Sequence, residues 1–399
     1  MIAILGILVM LGIAWSISVN RRAVRWRIVL VGTAVQFVFA VLILKTWAGK
    51  RLFELATEYV TAFLDFSDAG SRFIFGDGFQ EHFFAFKVLP TIIFFSSVIT
   101  VLYHLGIIQK VVQLFARVMM KLLGTSGAET LSVSANIFVG QTEAPLLIRP
   151  YVGSMTKSEL MAVMTGGFAT IAGGVLAAYV GMGVSAGHLI AASVMSAPAA
   201  LVMAKIIFPE TEESLTAGDV KVEVERPWAN VIDAAAEGAG SGLKLALNIG
   251  AMLLAFLALI AMVNAIIGRV GALFGYPDLS LELILGVVLR PLAFVMGVPW
   301  EETVEVGSLI GVKTVANEFI AFVQLQDMMG ENALSERSQI IATYALCGFS
   351  NFSSIAIQIG GIGGIAPERK QDLARIGLRA MVAGSLACFQ TATIAGLLL

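Results

Sequence analysis

Gln141-Thr142-Glu143 puts an amide, a hydroxyl and a carboxylate side by side between Gly140 and Pro145, inside a run that is otherwise apolar. A second interruption, Thr314-Val315-Ala316-Asn317-Glu318-Phe319, lies far downstream. The chain around them is 58% hydrophobic and only 14% charged, too apolar for a water-soluble globule with a polar exterior. An ionised carboxylate at the centre of a bilayer costs about 2.5–3.5 kcal/mol on insertion scales. Two such carboxylates imply a polar substrate or a coupling ion that makes use of them.

Composition excludes several classes of function. The formal net charge is −2, so no basic surface is available for nucleic acid, which is not expected as a partner. The two cysteines, Cys347 and Cys388, both lie in apolar runs and read as small buried hydrophobes, not as a disulfide framework or metal cluster. His82, His104 and His188 are far apart and share no ligand spacing, so they read as interfacial residues.

The fold class expected is an all-α polytopic membrane protein with eight transmembrane helices. Apolar spans are predicted over 2–19, 28–44, 83–108, 159–180, 188–208, 245–267, 340–359 and 376–398. Arg21, Arg22, Arg25 and Arg27 follow the first span and set its N-terminus outside by the positive-inside rule. Charges on one face mark two interfacial amphipathic helices, at 51–65 and 110–123. Residues 281–298 form the counterpart of the latter. Residues 126–150 and 303–325 have spanning length but carry the polar interruptions, and glycine and proline weaken a helix where its charge must be buried. Each reads as a re-entrant hairpin with the polar motif at its tip. The polar stretch 209–226 reads as a cytoplasmic connection too short to be a domain.

The second half repeats the first. Thr142-Glu143 corresponds to Asn317-Glu318, and Gly167-Phe168-Ala169-Thr170-Ile171 to Gly348-Phe349-Ser350-Asn351-Phe352. Counted with the N-terminus outside, the first hairpin enters from the cytoplasm and the second from outside, so the repeat is inverted. Arg149, Lys157, Arg369, Lys370, Arg375 and Arg379 then all fall on the cytoplasmic side. The expected organisation is N-terminal scaffold helices over 1–108, a first transport repeat over 109–208, a connection and scaffold span over 209–270, and a second transport repeat over 271–399.

Inverted repeats with paired broken segments are the mark of a secondary transporter whose site lies at the repeat interface near the midplane. The polar groups Gln141, Thr142, Glu143, Asn317, Glu318, Asn351 and Ser354 include no arginine to clamp an anion, which suits a neutral, polyhydroxylated solute. An intramembrane hydrolase would need two aspartates on facing helices or a serine with a histidine. No aspartate lies inside a predicted core span and no histidine accompanies Ser354.

At these residues the chain resembles the bacterial concentrative nucleoside transporter family. The resemblance rests on Gly140-Gln141-Thr142-Glu143-Ala144-Pro145, on Gly311-Val312-Lys313-Thr314-Val315-Ala316-Asn317-Glu318-Phe319, and on Gly348-Phe349-Ser350-Asn351-Phe352-Ser353-Ser354-Ile355. It implies a homotrimer in the inner membrane, both termini outside, each subunit taking up a nucleoside of the uridine, cytidine or adenosine type. Gln141 and Glu143 are implied to face the base, with Thr142 as a helper through water. Glu318, Asn351 and Ser354 are implied to hold the ribose hydroxyls, and Val175 and Phe349 to line the apolar walls. The coupling ion implied is sodium, held by the Asn136 side chain, the Val139 and Ile171 carbonyls, and the hydroxyl and carbonyl of Thr170; no other cofactor is expected. The alternatives are proton coupling through Glu143 or Glu318, and a sodium-coupled carrier of another small polar solute.

Overall fold

The computed structural model describes residues 2–216 and 227–399, and every regular element among them is a helix. Residues 217–226 of the predicted connection lie outside the described residues. The first elements are α1 (Ile2–Ser16), α2 (Trp26–Leu44), α3 (Trp47–Asp65) and α4 (Ser67–Phe75), followed by a π-turn at Phe84–Val88 that leads into α5 (Leu89–His104). The amphipathic α6 (Ile107–Leu123) turns Ile108, Val112, Ala116, Met119 and Leu123 inward. Its Lys110, Arg117 and Lys121 face out. Gly124, at φ 70°, ends it in the left-handed conformation that a side chain would disfavour.

The first polar interruption is a helix, a break and a second short helical piece: α7 (Gly127–Ala135), a turn through 136–143, a 3-10 segment at Ala144–Ile148, and α8 (Arg149–Val152). The second is built alike, with α14 (Thr303–Val315) and α15 (Glu318–Gly330) on either side of Ala316 and Asn317. Asn317 stops one helix and starts the next: its backbone is extended and its Oδ1 accepts from Ile320 N at 2.9 Å, the N-cap bond that short polar side chains provide.

Both spans predicted to follow these interruptions are themselves broken. The 159–180 span is α9 (Lys157–Ala169) and α10 (Gly173–Gly181), and the 340–359 span is α16 (Glu336–Leu346) and α17 (Phe352–Ile365). The breaks meet, since Phe349 N donates to the Thr170 carbonyl at 3.2 Å. Cys388 lies against both, its thiol 3.6 Å from the Ala169 carbonyl and 3.5 Å from that of Cys347. Around this crossing pack α11 (Ala186–Ile207) and α18 (Lys370–Leu398).

Outside this core stand α12 (Val231–Leu273) and α5, packed along each other, while α13 (Leu281–Val295) packs on α14. Among the described residues six helical stretches are long and apolar enough to cross a membrane, and Ala3–Ser16 and Phe352–Ile365 are shorter apolar helices. In the most apolar windows of Lys157–Gly181 and Ala186–Ile207, 89% of residues are buried, against 11% in that of Val231–Leu273, which separates an inner bundle from an outer pair. α12 has 43 residues, nearly twice the span predicted at 245–267. At about 1.5 Å per residue it is roughly 65 Å long, about twice the hydrocarbon thickness. Its added N-terminal turns pack closely on α5, where Ser97 Oγ donates to the Ala235 carbonyl at 2.8 Å.

Residues 209–216 fold back onto the helix starts. Ser126 with Glu129 and Thr156 with Glu159 form capping boxes at the N-termini of α7 and α9. Lys205, in the last turn of α11, lies 2.6 Å from Glu129 and donates to Ser158 Oγ at 2.9 Å. Ser214 and Thr216 each donate a hydroxyl to Glu159 at 2.6 Å, and Gly127 N donates to the Thr216 carbonyl at 2.9 Å. The predicted connection is therefore tied to the foot of α7 and not merely strung between spans.

Candidate functional site

Four predicted residues from three separate elements form one hydrogen-bonded chain. Glu318, at the first position of α15, is 6% exposed and its Oε2 accepts from Asn351 Nδ2 at 2.8 Å. Asn351 caps α17: its Oδ1 accepts from Ser354 N at 2.9 Å and from Ser353 Oγ at 2.7 Å. Ser354 Oγ in turn accepts from Gln141 Nε2 at 3.3 Å. Breaks in both halves thus bring their polar side chains to one place, with helix N-termini alongside.

The remaining predicted residues stand as follows. Thr142 Oγ1 donates to Glu143 Oε1 at 3.0 Å. Glu143 is exposed, in contrast to Glu318, and its side chain folds back over Gly140, where a Cβ would collide with it. Val175 is buried in the first turn of α10, and Phe349 is half-buried in the break before α17. Lys313 is fully buried and donates to the Ala345 carbonyl at 2.8 Å, where its charge meets the negative end of α16.

One residue of this centre was missed. Gln358 is fully buried, and its Nε2 donates to Gln141 Oε1 at 3.0 Å and to the Met164 carbonyl at 3.1 Å. Its signal was available, since it follows Ser354 by one helical turn and repeats a polar residue on that face of an apolar helix.

The segments that carry the four expected ion ligands adjoin, a Cβ on Gly166 standing 3.4 Å from Asn136 Nδ2. Asn136 follows α7 and is 1% exposed; its Nδ2 donates to the Ser132 carbonyl at 3.1 Å, while its Oδ1 has no hydrogen-bond partner. A buried acceptor left in that state costs about 1–3 kcal/mol. Val139, Thr170 and Ile171 are buried as well, and Thr170 Oγ1 donates to the Gly166 carbonyl at 2.9 Å. The turn after α7 touches the break after α9: a Cβ on Gly173 would stand 3.0 Å from the Phe138 carbonyl. Hard oxygen donors freed from helical bonding, with one amide oxygen unsatisfied, fit a small monovalent cation. Among the described residues no group of three or more His, Cys, Asp or Glu could hold a metal ion.

Three family models match in succession. One described as nucleoside recognition covers residues 85–186, the N-terminus of the Na+ dependent nucleoside transporter covers 5–78, and its C-terminus covers 188–396. The chain belongs to the sodium-dependent nucleoside transporter family. An uncharacterized transporter of Haemophilus influenzae is 48% identical over 99% of this transporter and 97% of its own length. Solute carrier family 28 member 3 of Eptatretus stoutii is 46% identical over 98% of this transporter; the chain spans only 60% of that relative. A solved structure of CNTnw in an inward-facing substrate-bound state is 45% identical, with a TM-score of 0.94 over 100% of this transporter and 97% of that chain. A variant of CNTnw in an outward-facing state has the same TM-score. Membership makes this transporter a carrier and not an enzyme, and it is embedded in a membrane.

Proposed function

We propose that this transporter takes up nucleosides by symport with sodium, alternating access around the polar centre at its broken helices. The observation that carries this is the continuous chain from Gln141 through Ser354 and Asn351 to Glu318, beside an Asn136 whose buried Oδ1 has no partner. A carboxylate can accept from both hydroxyls of a cis-diol, which assigns the ribose to Glu318, with Asn351 and Ser354 fixing that carboxylate and completing the cradle. Gln141 and Glu143 then face the base, with Thr142 as a helper through water. Val175 and Phe349 supply the apolar walls. Sodium is held by Asn136 Oδ1, the Val139 and Ile171 carbonyls, and the hydroxyl and carbonyl of Thr170.

The same reading fixes the membrane arrangement. The six long apolar stretches, together with α1 and the broken pair α16–α17, make eight spans. The helix–break–helix units at α7–α8 and α14–α15 are the two re-entrant hairpins of an inverted repeat. Both termini lie outside a bacterial inner membrane, with Lys110, Arg117 and Lys121 in the cytoplasm. Three copies assemble through the apolar faces that the chain leaves exposed.

The test is radiolabelled uridine uptake into vesicles reconstituted with the protein. Uptake should follow an imposed sodium gradient and stop in choline buffer. Uptake that instead follows a pH gradient in choline supports proton coupling through Glu143 or Glu318, and absence of uridine uptake under both gradients, in a folded protein, overturns the nucleoside assignment.

A further inference from the structure

The amide of Gln141 does not choose its own orientation. A backbone carbonyl can only accept, so the Gln358 atom 3.1 Å from the Met164 carbonyl is the amide nitrogen. The same nitrogen lies 3.0 Å from Gln141, which makes the Gln141 atom there the oxygen. The Gln141 nitrogen is thereby turned the other way, toward Ser354 Oγ at a long 3.3 Å. Polarity passes from the main chain of α9, through Gln358, to the side chain that faces the base. The contact is tight: a Cβ on Gly167 would stand 2.9 Å both from Gln141 Cβ and from Gln358 Nε2. The oxygen of Gln358 is itself buried without a partner, so Gln358 contributes only donors to this relay.

We infer that Gln358 is a positioning residue for specificity, locking Gln141 so that it presents an N–H donor, and not its carbonyl oxygen, to the nucleoside base. This rests on the nucleoside reading above and extends it. A fixed donor favours a base with a carbonyl acceptor at the edge Gln141 reads and disfavours an exocyclic amine there, because two donors facing each other leave both unsatisfied. Uridine and cytidine differ in this way, the first carrying a carbonyl and the second an amine at the same ring carbon. If Gln358 loses its donors, Gln141 is free to rotate its amide and accept from the amine.

The experiment measures displacement of bound uridine by uridine and by cytidine at saturating sodium, in wild type, Gln358→Leu, Gln358→Met, Gln141→Ala and the Gln141→Ala/Gln358→Met double variant. Thermal unfolding of each serves as a folding control, and Gln358→Met, unbranched and of similar length, stands in if Gln358→Leu does not fold. Wild type is expected to favour uridine. The Gln358 variants should narrow the uridine-to-cytidine affinity ratio by about 3- to 10-fold, the worth of one net hydrogen bond. In the Gln141→Ala background Gln358→Met should leave the ratio unchanged, which a merely structural residue would not do. The inference is overturned if wild type shows no preference, if a folded Gln358 variant keeps the wild-type ratio, or if Gln358→Met narrows the ratio equally without Gln141. Failure of wild type to bind either nucleoside overturns the nucleoside reading and this one with it.

Discussion

Asn351 holds Glu318 with its amide nitrogen, at 2.8 Å, while its amide oxygen caps α17 through Ser354 N at 2.9 Å. One side chain therefore starts a helix and orients the buried carboxylate of the other half of the chain. The two tasks can be separated. Asn351→Asp keeps an oxygen for the cap, and cap replacement among Asn, Asp and Ser is nearly neutral. It replaces the donor, however, with a second acceptor facing Glu318, so the hydrogen bond that orients that carboxylate is lost. Its unfolding temperature should remain close to wild type while uridine affinity falls by at least about tenfold, the worth of a charged hydrogen bond. Equal losses in stability and affinity would show that Asn351 acts only through the cap.

Glu318→Gln removes the charge proposed to accept from both ribose hydroxyls but retains an oxygen for Asn351. Uridine affinity should fall by about 100-fold or more, the sum of two hydrogen bonds to a charged acceptor, with the protein still folded. In the wild type a 2′,3′-dideoxy nucleoside should compete poorly, and the variant should no longer discriminate against it. Normal uridine transport by Glu318→Gln in vesicles would remove the ribose assignment.

At the foot of α7, Lys205 and Glu129 form an ion pair at 2.6 Å with side chains 5% and 2% exposed. Removing one partner from such a pair is expensive, about 3–5 kcal/mol, whereas replacing both by neutral groups of similar size is close to neutral. Lys205→Met should therefore lower the unfolding temperature sharply, and the Lys205→Met/Glu129→Gln double variant should recover most of the loss. Additive losses in the double variant would show that the two groups are not energetically coupled.

How much of this centre could be read in the sequence depends on contrast. Glu143, Glu318, Asn351 and Ser354 stand out because charge and amide groups in an apolar run are costly, and their spacing already predicted two interrupted elements. The breaks at Thr170 and Phe349 were not read, each lying inside an apolar run taken as one span, although Gly166, Gly167, Gly173 and Gly174 flank the first. Gln358 carries no charge and lies inside a helix, so only its register with Ser354 marked it. The exposure of Glu143 was not readable, because Glu143 stands in an apolar run like that around the buried Glu318. Nor was the length of α12: its residues before 245 are polar enough to fail a hydropathy criterion, yet they continue the helix because they pack on α5. The role of Ser214 and Thr216, which bind Glu159 at the start of α9, is long-range and leaves no local pattern.

The last prediction concerns coupling between ion and nucleoside. The turn from Asn136 to Glu143 carries residues proposed for both, with Asn136 and Val139 assigned to the ion and Gln141, only a few residues later, to the base. An ion that satisfies the orphan Oδ1 of Asn136 and binds the Val139 carbonyl fixes the backbone that presents Gln141 to Ser354. Binding of sodium should then raise nucleoside affinity, and reciprocity requires nucleoside to raise sodium affinity by the same factor, typically about 5–150-fold. Asn136→Ala removes a proposed ion ligand without touching the Gln141–Ser354–Asn351–Glu318 chain. Its uridine affinity at low sodium should fall by about that coupling factor, and raising sodium should restore most of it. Asn136→Asp, which keeps the oxygen and adds a charge, should bind sodium at least as well as wild type. Titrations of uridine at several sodium concentrations decide the matter: a uridine affinity in Asn136→Ala that is reduced equally at every sodium concentration would separate Asn136 from the ion and leave it a structural cap on α7.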